Sequence, residues 1–475
     1  MIFLTLLTTL LSYSETINLP PKNDFFFGIA NAPTQVEDQL EDPWIEHAKS
    51  GKVRAYFQTE NPEKKLEFWT KPEIEIDLAQ ELGVNLFRLG IDWSRLMIFS
   101  PPLKEQQIDY QALDQYKNIL SKIKANKMKV MLTLFHHSEP FWTLEKKSWS
   151  NPEMINQFVF FAKAALPELI DQVDFIITFN EPQFYIAMTG LKPIWPSYQS
   201  KNHSLELFNL PFKKGLFQKS LENIAEAHKR IYAHVKKIAP QIKVGIAHNV
   251  ANYRGVNWPS EASALISWHR FNYEMLDLVK DHLDFMGINY YGAENLSGTK
   301  LKFDKNYEYS DSGRAISPQG LYKIVHRLQK RYGYLNLPYI VTENGIADES
   351  DRIRPLYLIE HLKVVNKLMN EGIKFLGYIH WTLTDNFEWT DGYCPKFGLV
   401  GVNRKTMKRT KRESYFLFQR IIESRKITDE DQIEAWEKVA TYKNDQRPTC
   451  RDLDGEKALD HYRYEKFKGI DWRMK

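Results

Sequence analysis

The chain has 475 residues, 43% of them hydrophobic and 13% aromatic, which is enough apolar surface for a substantial core and excludes a disordered or collagenous chain. Its 64 basic and 60 acidic side chains leave a formal charge of +4, too balanced to specify a polyanion, so no nucleic-acid partner is expected. Two cysteines, Cys394 and Cys450, exclude a cysteine framework and lack the close spacing of a zinc site; a disulfide between them is not expected, and they leave the redox compartment open.

The chain opens on MIFLTLLTTLLSYS, residues 1–14, which reads as the apolar part of a signal peptide or a short membrane-inserting end. It has no basic flank and is shorter than the roughly 20 residues that span a bilayer. With residues 1–20 set apart as this segment, the expected localisation is cytoplasmic, secreted or membrane-associated, according to whether the segment is processed.

Short apolar runs then recur between stretches of helical periodicity. The candidate strands are 25–30 FFFGIA, 84–93 VNLFRLGIDW, 129–136 KVMLTLFH and 174–180 DFIITFN, followed by 243–249 KVGIAHN, 284–290 DFMGINY, 338–344 PYIVTEN and 375–381 FLGYIHW. Helical material separates them: PEIEIDLAQELG repeats apolar residues at a helical period and stops at Gly83, and INQFVFFAKAALPELI feeds the strand ending in Asn180. This alternation predicts an α/β fold, a single (β/α)8 TIM barrel over 21–425, with a C-terminal extension over 426–475 packed on it. The mixed charges of that extension favour a packed cap over membrane-surface contact, which stands as the second reading.

Arg88, His136, Asn180, Glu181, Asn289, Glu343 and Trp381 fall at or beside the C-terminal ends of candidate strands, where a β/α barrel assembles its active face. A strand interior excludes such polar groups unless they are paired, so their position marks a site. Within TFNEP and VTENG, Glu181 and Glu343 end the fourth and seventh strands and can face one another across the barrel mouth. Two carboxylates in different surroundings can hold different protonation states. Glu343 is expected to be the nucleophile, held ionised by Arg88 and Tyr291, and Glu181 the general acid and base, with Asn180 positioning the sugar beside it. Retention of configuration requires the two carboxyl groups about 5 Å apart.

The ordered motifs FFFGIANAPTQVE, LGVNLFRLGIDWSRL, TLFHHSEP, TFNEP, GINYY, TENG and WTLTDNFEW, spread over about residues 25–415, resemble glycoside hydrolase family 1. The resemblance implies a retaining β-glycosidase that works on β-glucosides or β-galactosides without cofactor or metal. It also implies sugar-hydroxyl contacts from Gln35, His136, Asn180 and Glu388. Trp381 would form the aromatic floor, Trp389 a further sugar contact, and Asn289 and Tyr291 would support the glutamates. Three departures mark candidate specificity residues: Asp38 where a glycine is usual, His137 where a tryptophan is usual, and Arg314 where an aromatic residue is common.

QVEDQLEDPW, FHHSEPFW, GINYYGAE and DGYCPKFGLVGVNR further resemble the plant chloroplast branch that transfers sugar between galactolipids, as, less closely, does the tail KGIDWRMK. The resemblance widens the expected substrate from a β-linked sugar or glycoside to a glycolipid. Beside hydrolysis it sets transglycosylation as the alternative, because both reactions share one glycosyl-enzyme intermediate. A reading of a different class is a carbohydrate-binding or lipid-associated scaffold that has lost catalysis.

Overall fold

In a computed structural model, residues 15–441 are described apart from 55, 58, 99–106, 192–193, 198–214, 299, 303 and 305, together with 450 and 471–474. All eight candidate strands form, as β1 (Phe26–Ala30), β2 (Leu86–Gly90), β3 (Lys129–Phe135), β4 (Phe175–Asn180), β5 (Lys243–Gly255), β6 (Met286–Ser297), β7 (Tyr339–Asn344) and β8 (Phe375–His380). Each pairs in parallel with the next, β8 pairs with β1, and the ring closes. The chain therefore folds as a (β/α)8 barrel. Strands such as LFRLG and FIITFN are buried along their whole length, as a barrel lined inside and covered outside requires.

Helices α1 (Glu73–Leu82), α2 (Tyr110–Ala125), α3 (Glu153–Leu169), α4 (Leu216–Ile238), α5 (Trp258–Asn272), α6 (Pro318–Tyr332), α7 (Arg354–Asn370) and α8 (Glu413–Ser424) make the outer ring. In α1 the helical period buries Ile76, Ala79 and Leu82, and Gly83 ends it at φ 87° with its N–H on the Gln80 carbonyl. In α3 the same logic buries Met154, Phe158, Phe161, Ala162 and Ala165. Phe158 meets Phe179 of β4 at 4.9 Å and Trp149 at 5.4 Å between ring centroids. Each large apolar side chain so buried contributes about 1.5–3 kcal/mol, and loss of Phe158 to alanine would cost about 3–5 kcal/mol.

The end of β7 shows why a glycine follows Asn344. A Cβ on Gly345 would collide with the Trp381 carbonyl oxygen just beyond β8, so only a bare backbone lets the two strand ends approach.

Three findings at the ends of the chain depart from expectation or add to it. No helix among the described residues is long and apolar enough to cross a membrane, which corrects the expectation of a membrane-associated chain anchored by an N-terminal segment; residues 1–14 themselves lie outside the described residues. Ile17 and Asn18 pair with Ile427 and Lys426, and Leu19 is buried, so the chain is already tied to the barrel there. Most of 442–470 likewise lies outside the described residues, but α9 (Asp429–Ala440) receives the tail: Arg473 stacks 3.9 Å from the Trp436 ring, and the Met474 N–H donates to Glu360 at 2.6 Å.

Cys394 and Cys450 are joined in a disulfide, contrary to the sequence expectation, with their Cα atoms 5.6 Å apart. The reason is tertiary. The Cys450 N–H donates to the Asp311 carbonyl at 3.0 Å, so the loop after β6 draws the C-terminal segment to the loop after β8.

Candidate active site

The polar strand ends form one continuous hydrogen-bonded network. Arg88 on β2 is fully buried, and its guanidinium donates from Nη1 to Glu343 Oε1 at 2.6 Å and to the Thr342 carbonyl at 2.9 Å. It also donates from Nη2 to Asn180 Oδ1 at 2.6 Å and from Nε to Thr133 Oγ1 at 3.2 Å. A buried guanidinium must fill its donors in this way, since each unmet bond to a charge costs several kcal/mol. The Tyr291 hydroxyl donates to the other oxygen of Glu343 at 2.6 Å.

Glu181 lies in a different setting. It follows β4 at φ 46°, and among the described residues its Oε1 accepts from two side-chain amides, Asn249 Nδ2 and Asn289 Nδ2, each at 2.9 Å. Asn289 also donates to Asn180 at 3.0 Å and accepts from Thr342 Oγ1 at 2.7 Å, which fixes its orientation. Asn180 in turn donates to Nε2 of His136 at 3.0 Å and of His137 at 3.3 Å, and His137 Nε2 stands 3.9 Å from Glu181 Oε2.

Burial acts on both carboxyls and on both imidazoles. Burial pushes the Glu343 carboxyl up to about 7, Arg88 opposes it, and the nearby Glu181 charge adds to the rise. Burial also raises Glu181, against its two amide bonds. The partners differ in kind: Glu343 accepts from a guanidinium and a phenol, which favour its anion, whereas Glu181 accepts from two neutral amides. Burial lowers His136 far below its ordinary value and His137 to about 3, with Arg88 acting in the same direction on both; both imidazoles are therefore neutral and able to accept from Asn180.

Above the network opens a mouth of about 790 Å³. It brings together His136, His137, Asn180, Glu181, Tyr291, Arg314, Glu343, Trp381, Glu388 and Trp389 from the sequence reading. Trp381 donates its indole N–H to Glu388 at 3.1 Å, and burial pushes the Glu388 carboxyl well up. Trp389 packs between Trp44 at 4.8 Å and His137 at 5.1 Å. Gln35 lies on the short helix Pro33–Val36, fully buried, and both ends of its amide lack a partner among the described residues, the condition of an amide that meets a ligand.

Asp38 is not drawn in. Its carboxylate accepts from the Trp69 and Thr70 N–H groups at 3.1 and 3.2 Å and from the Thr70 hydroxyl at 2.8 Å, so it ties a loop and has no place at the mouth. Arg314 does line the mouth, bound to Glu294, with its guanidinium carbon 5.9 Å from the Tyr291 ring.

Sequence reading missed Asn249, which bonds Glu181 directly. Its position at the end of the fifth candidate strand was the available signal. It also missed Phe184, Met188, Trp195 and Phe397, which give the mouth an apolar side; Phe184 and Met188 lie on the short helical segments Pro182–Ile186 and Ala187–Leu191 and the other two in loops, all too short for a periodicity that points to a site.

The family model for glycosyl hydrolase family 1 matches residues 18–263 and 263–427. The chain is 36% identical over 511 aligned positions to the galactolipid galactosyltransferase SFR2 of Arabidopsis thaliana, covering 95% of this chain and 82% of that protein. It is 32% identical to the β-glucosidase-like SFR2 of Oryza sativa subsp. japonica, over 91% of this chain and 79% of that one. Among solved structures, the β-glycosidase of Pyrococcus horikoshii is similar with a TM-score of 0.76 and 25% identity, covering 88% of this chain and 98% of that chain.

Proposed function

Because this chain belongs to glycosyl hydrolase family 1, and so is an enzyme that acts on β-linked sugars, we propose that it is a retaining transglycosidase that moves a galactosyl group from one galactolipid to another. Enzyme membership sets the inactive-scaffold reading aside. The observation that carries the transfer reading is its likeness along nearly the whole chain to a galactolipid galactosyltransferase.

The chemistry follows from the unequal surroundings of the two carboxyls. Glu343, held by Arg88 and Tyr291, attacks the anomeric carbon while the bond to the lipid oxygen breaks and Glu181 gives that oxygen its proton. This leaves a covalent galactosyl ester on Glu343 and an ionised Glu181. A hydroxyl of a second galactolipid then attacks the same carbon, Glu181 takes its proton, and the ester to Glu343 breaks. Two inversions give net retention.

Water would complete the same cycle as hydrolysis, so the acceptor side decides the product. Arg314 supports transfer: it presents a cation at the mouth whose charge acts on Glu181, in a position to hold the hydroxyls of an incoming sugar head group. The apolar side made by Phe184, Met188, Trp195 and Phe397 suits a lipid-linked substrate and limits water at the ester.

The test is product analysis with a β-linked galactolipid, with and without a competing β-glucoside. Oligogalactolipid is the expected main product. Free galactose as the main product, at every galactolipid concentration, would replace the transferase reading by hydrolysis.

A further inference from the structure

Helix α5 follows the C-terminal extension of β5, the strand that carries Asn249 into the mouth, and so lies at the active end of the barrel. It is amphipathic in an inverted sense. Its buried positions include Ser260, Ala264 and Trp268, whereas Trp258, Leu265 and Ile266 are 88%, 63% and 66% exposed. With exposed Ala262 and His269 they fall at i, i+4, i+7, i+8 and i+11, one stripe of the helix. An exposed tryptophan in such a stripe is a strong sign of an interaction surface.

The surroundings of the stripe say what covers it. The turn after β6 is fastened to α5 by the Gly298 N–H on Ser260 Oγ at 2.9 Å, which brings exposed Lys300 and Lys302 to its N-terminal end. On its flank, Arg327 of α6 stacks 4.1 Å from the Trp268 ring. Burial, then Arg254 and Arg327, hold the Lys323 ammonium below its ordinary value, so these three cations crowd together. Among the described residues none of the five cations has a carboxylate within ion-pair distance, and Glu261 is the acidic residue on the helix itself.

We infer that the exposed face of α5 docks the enzyme on an acidic lipid surface, with Trp258, Leu265 and Ile266 entering the interface and Arg254, Lys300, Lys302, Lys323 and Arg327 meeting anionic head groups. An interfacial helix combines these two features, lying on a membrane without spanning it. A second copy of the chain fits less well, since a self-complementary contact would press the two sets of cations together. The inference rests on the transfer reading in one respect: it brings the mouth to the surface where lipid-linked donors and acceptors reside.

Vesicle co-sedimentation of the full chain tests it, using phosphatidylcholine vesicles with and without phosphatidylglycerol, at low and high salt. The wild type is expected to bind the phosphatidylglycerol vesicles, and salt should weaken that binding. The triple variant Trp258→Ser, Leu265→Ser, Ile266→Ser and the triple variant Lys300→Glu, Lys302→Glu, Lys323→Glu should each lose about tenfold or more in partition. Both should turn over a soluble aryl β-glycoside like the wild type, which establishes that they fold. The inference fails if either folded variant binds vesicles as the wild type does, as it would were another part of the chain the anchor. It also fails if the serine variant converts a dimer to a monomer in ultracentrifugation with vesicle binding unchanged. Failure here leaves transfer to soluble galactoside acceptors untouched, whereas vesicle binding by an enzyme that only hydrolyses would overturn the transfer reading alone.

Discussion

The inner wall of the mouth and its outer rim are built on opposite principles. On the inner wall Arg88, Asn180, Asn289 and Glu343 are almost wholly buried, and each is held by two or more partners on different strands. At the rim Arg314 is held by Glu294, and apolar side chains from the segments after β4 and β8 line the same opening. A network tied into the barrel cannot change one member without stranding another in a low-dielectric setting, so it fixes one chemistry. A rim of loosely coupled contacts can change its occupant while that chemistry stays as it is. On the proposed mechanism, this difference would let one intermediate serve hydrolysis and transfer while the rim chooses the acceptor.

Three substitutions probe that contrast. Glu343→Ala strikes the inner wall and should lower kcat by about 10⁴-fold or more, since no covalent ester can form. Adding azide should restore turnover and give a glycosyl azide of inverted configuration, read by NMR; a product of retained configuration would remove Glu343 from the nucleophile's role.

Arg88→Met should follow, with kcat/KM lowered by about 10²–10³-fold and stability by about 3–5 kcal/mol, because the Glu343 carboxylate loses its buried partner. It also has a pH signature. Burial raises Glu343 to about 7 and Arg88 opposes the rise; only the ionised form attacks, so wild-type kcat/KM should fall as pH drops through about 7. Removing Arg88 should move this acid limb to higher pH. A limb that stays in place would mean that Arg88 does not govern the charge of Glu343.

Arg314→Met at the rim should have the smallest effect on chemistry, within about threefold in release of an aryl leaving group, while the ratio of transfer to hydrolysis falls about tenfold. Quantifying oligogalactolipid against free galactose in one reaction reads that ratio. An unchanged ratio would assign acceptor choice to other rim residues.

The barrel was legible because its strands are short apolar runs spaced by helical periods, and burial on both faces leaves such runs few alternatives. The carboxylates were legible for the complementary reason: Glu181 and Glu343 break apolar strands at their ends, where a charge needs partners. Asp38 drew attention because an acidic residue where a glycine is usual reads as specificity, whereas its oxygens are satisfied by Trp69 and Thr70. Asn249 was overlooked because an amide at a strand end has many local uses, and only the pairing of Asn249 with Asn289 brings both amides to one oxygen of Glu181.

By itself the sequence determined the alternation of strand and helix, the place of two glutamates at strand ends and the family of the chain, because those properties reside in local periodicity and short motifs. Only the tertiary structure decided which donors each glutamate receives, that Cys394 meets Cys450, that Arg314 stands at the mouth and Asp38 away from it, and that Trp258, Leu265 and Ile266 face outward. Each of these depends on which residues distant in the chain become neighbours when the ring of strands closes, and no local pattern encodes that closure.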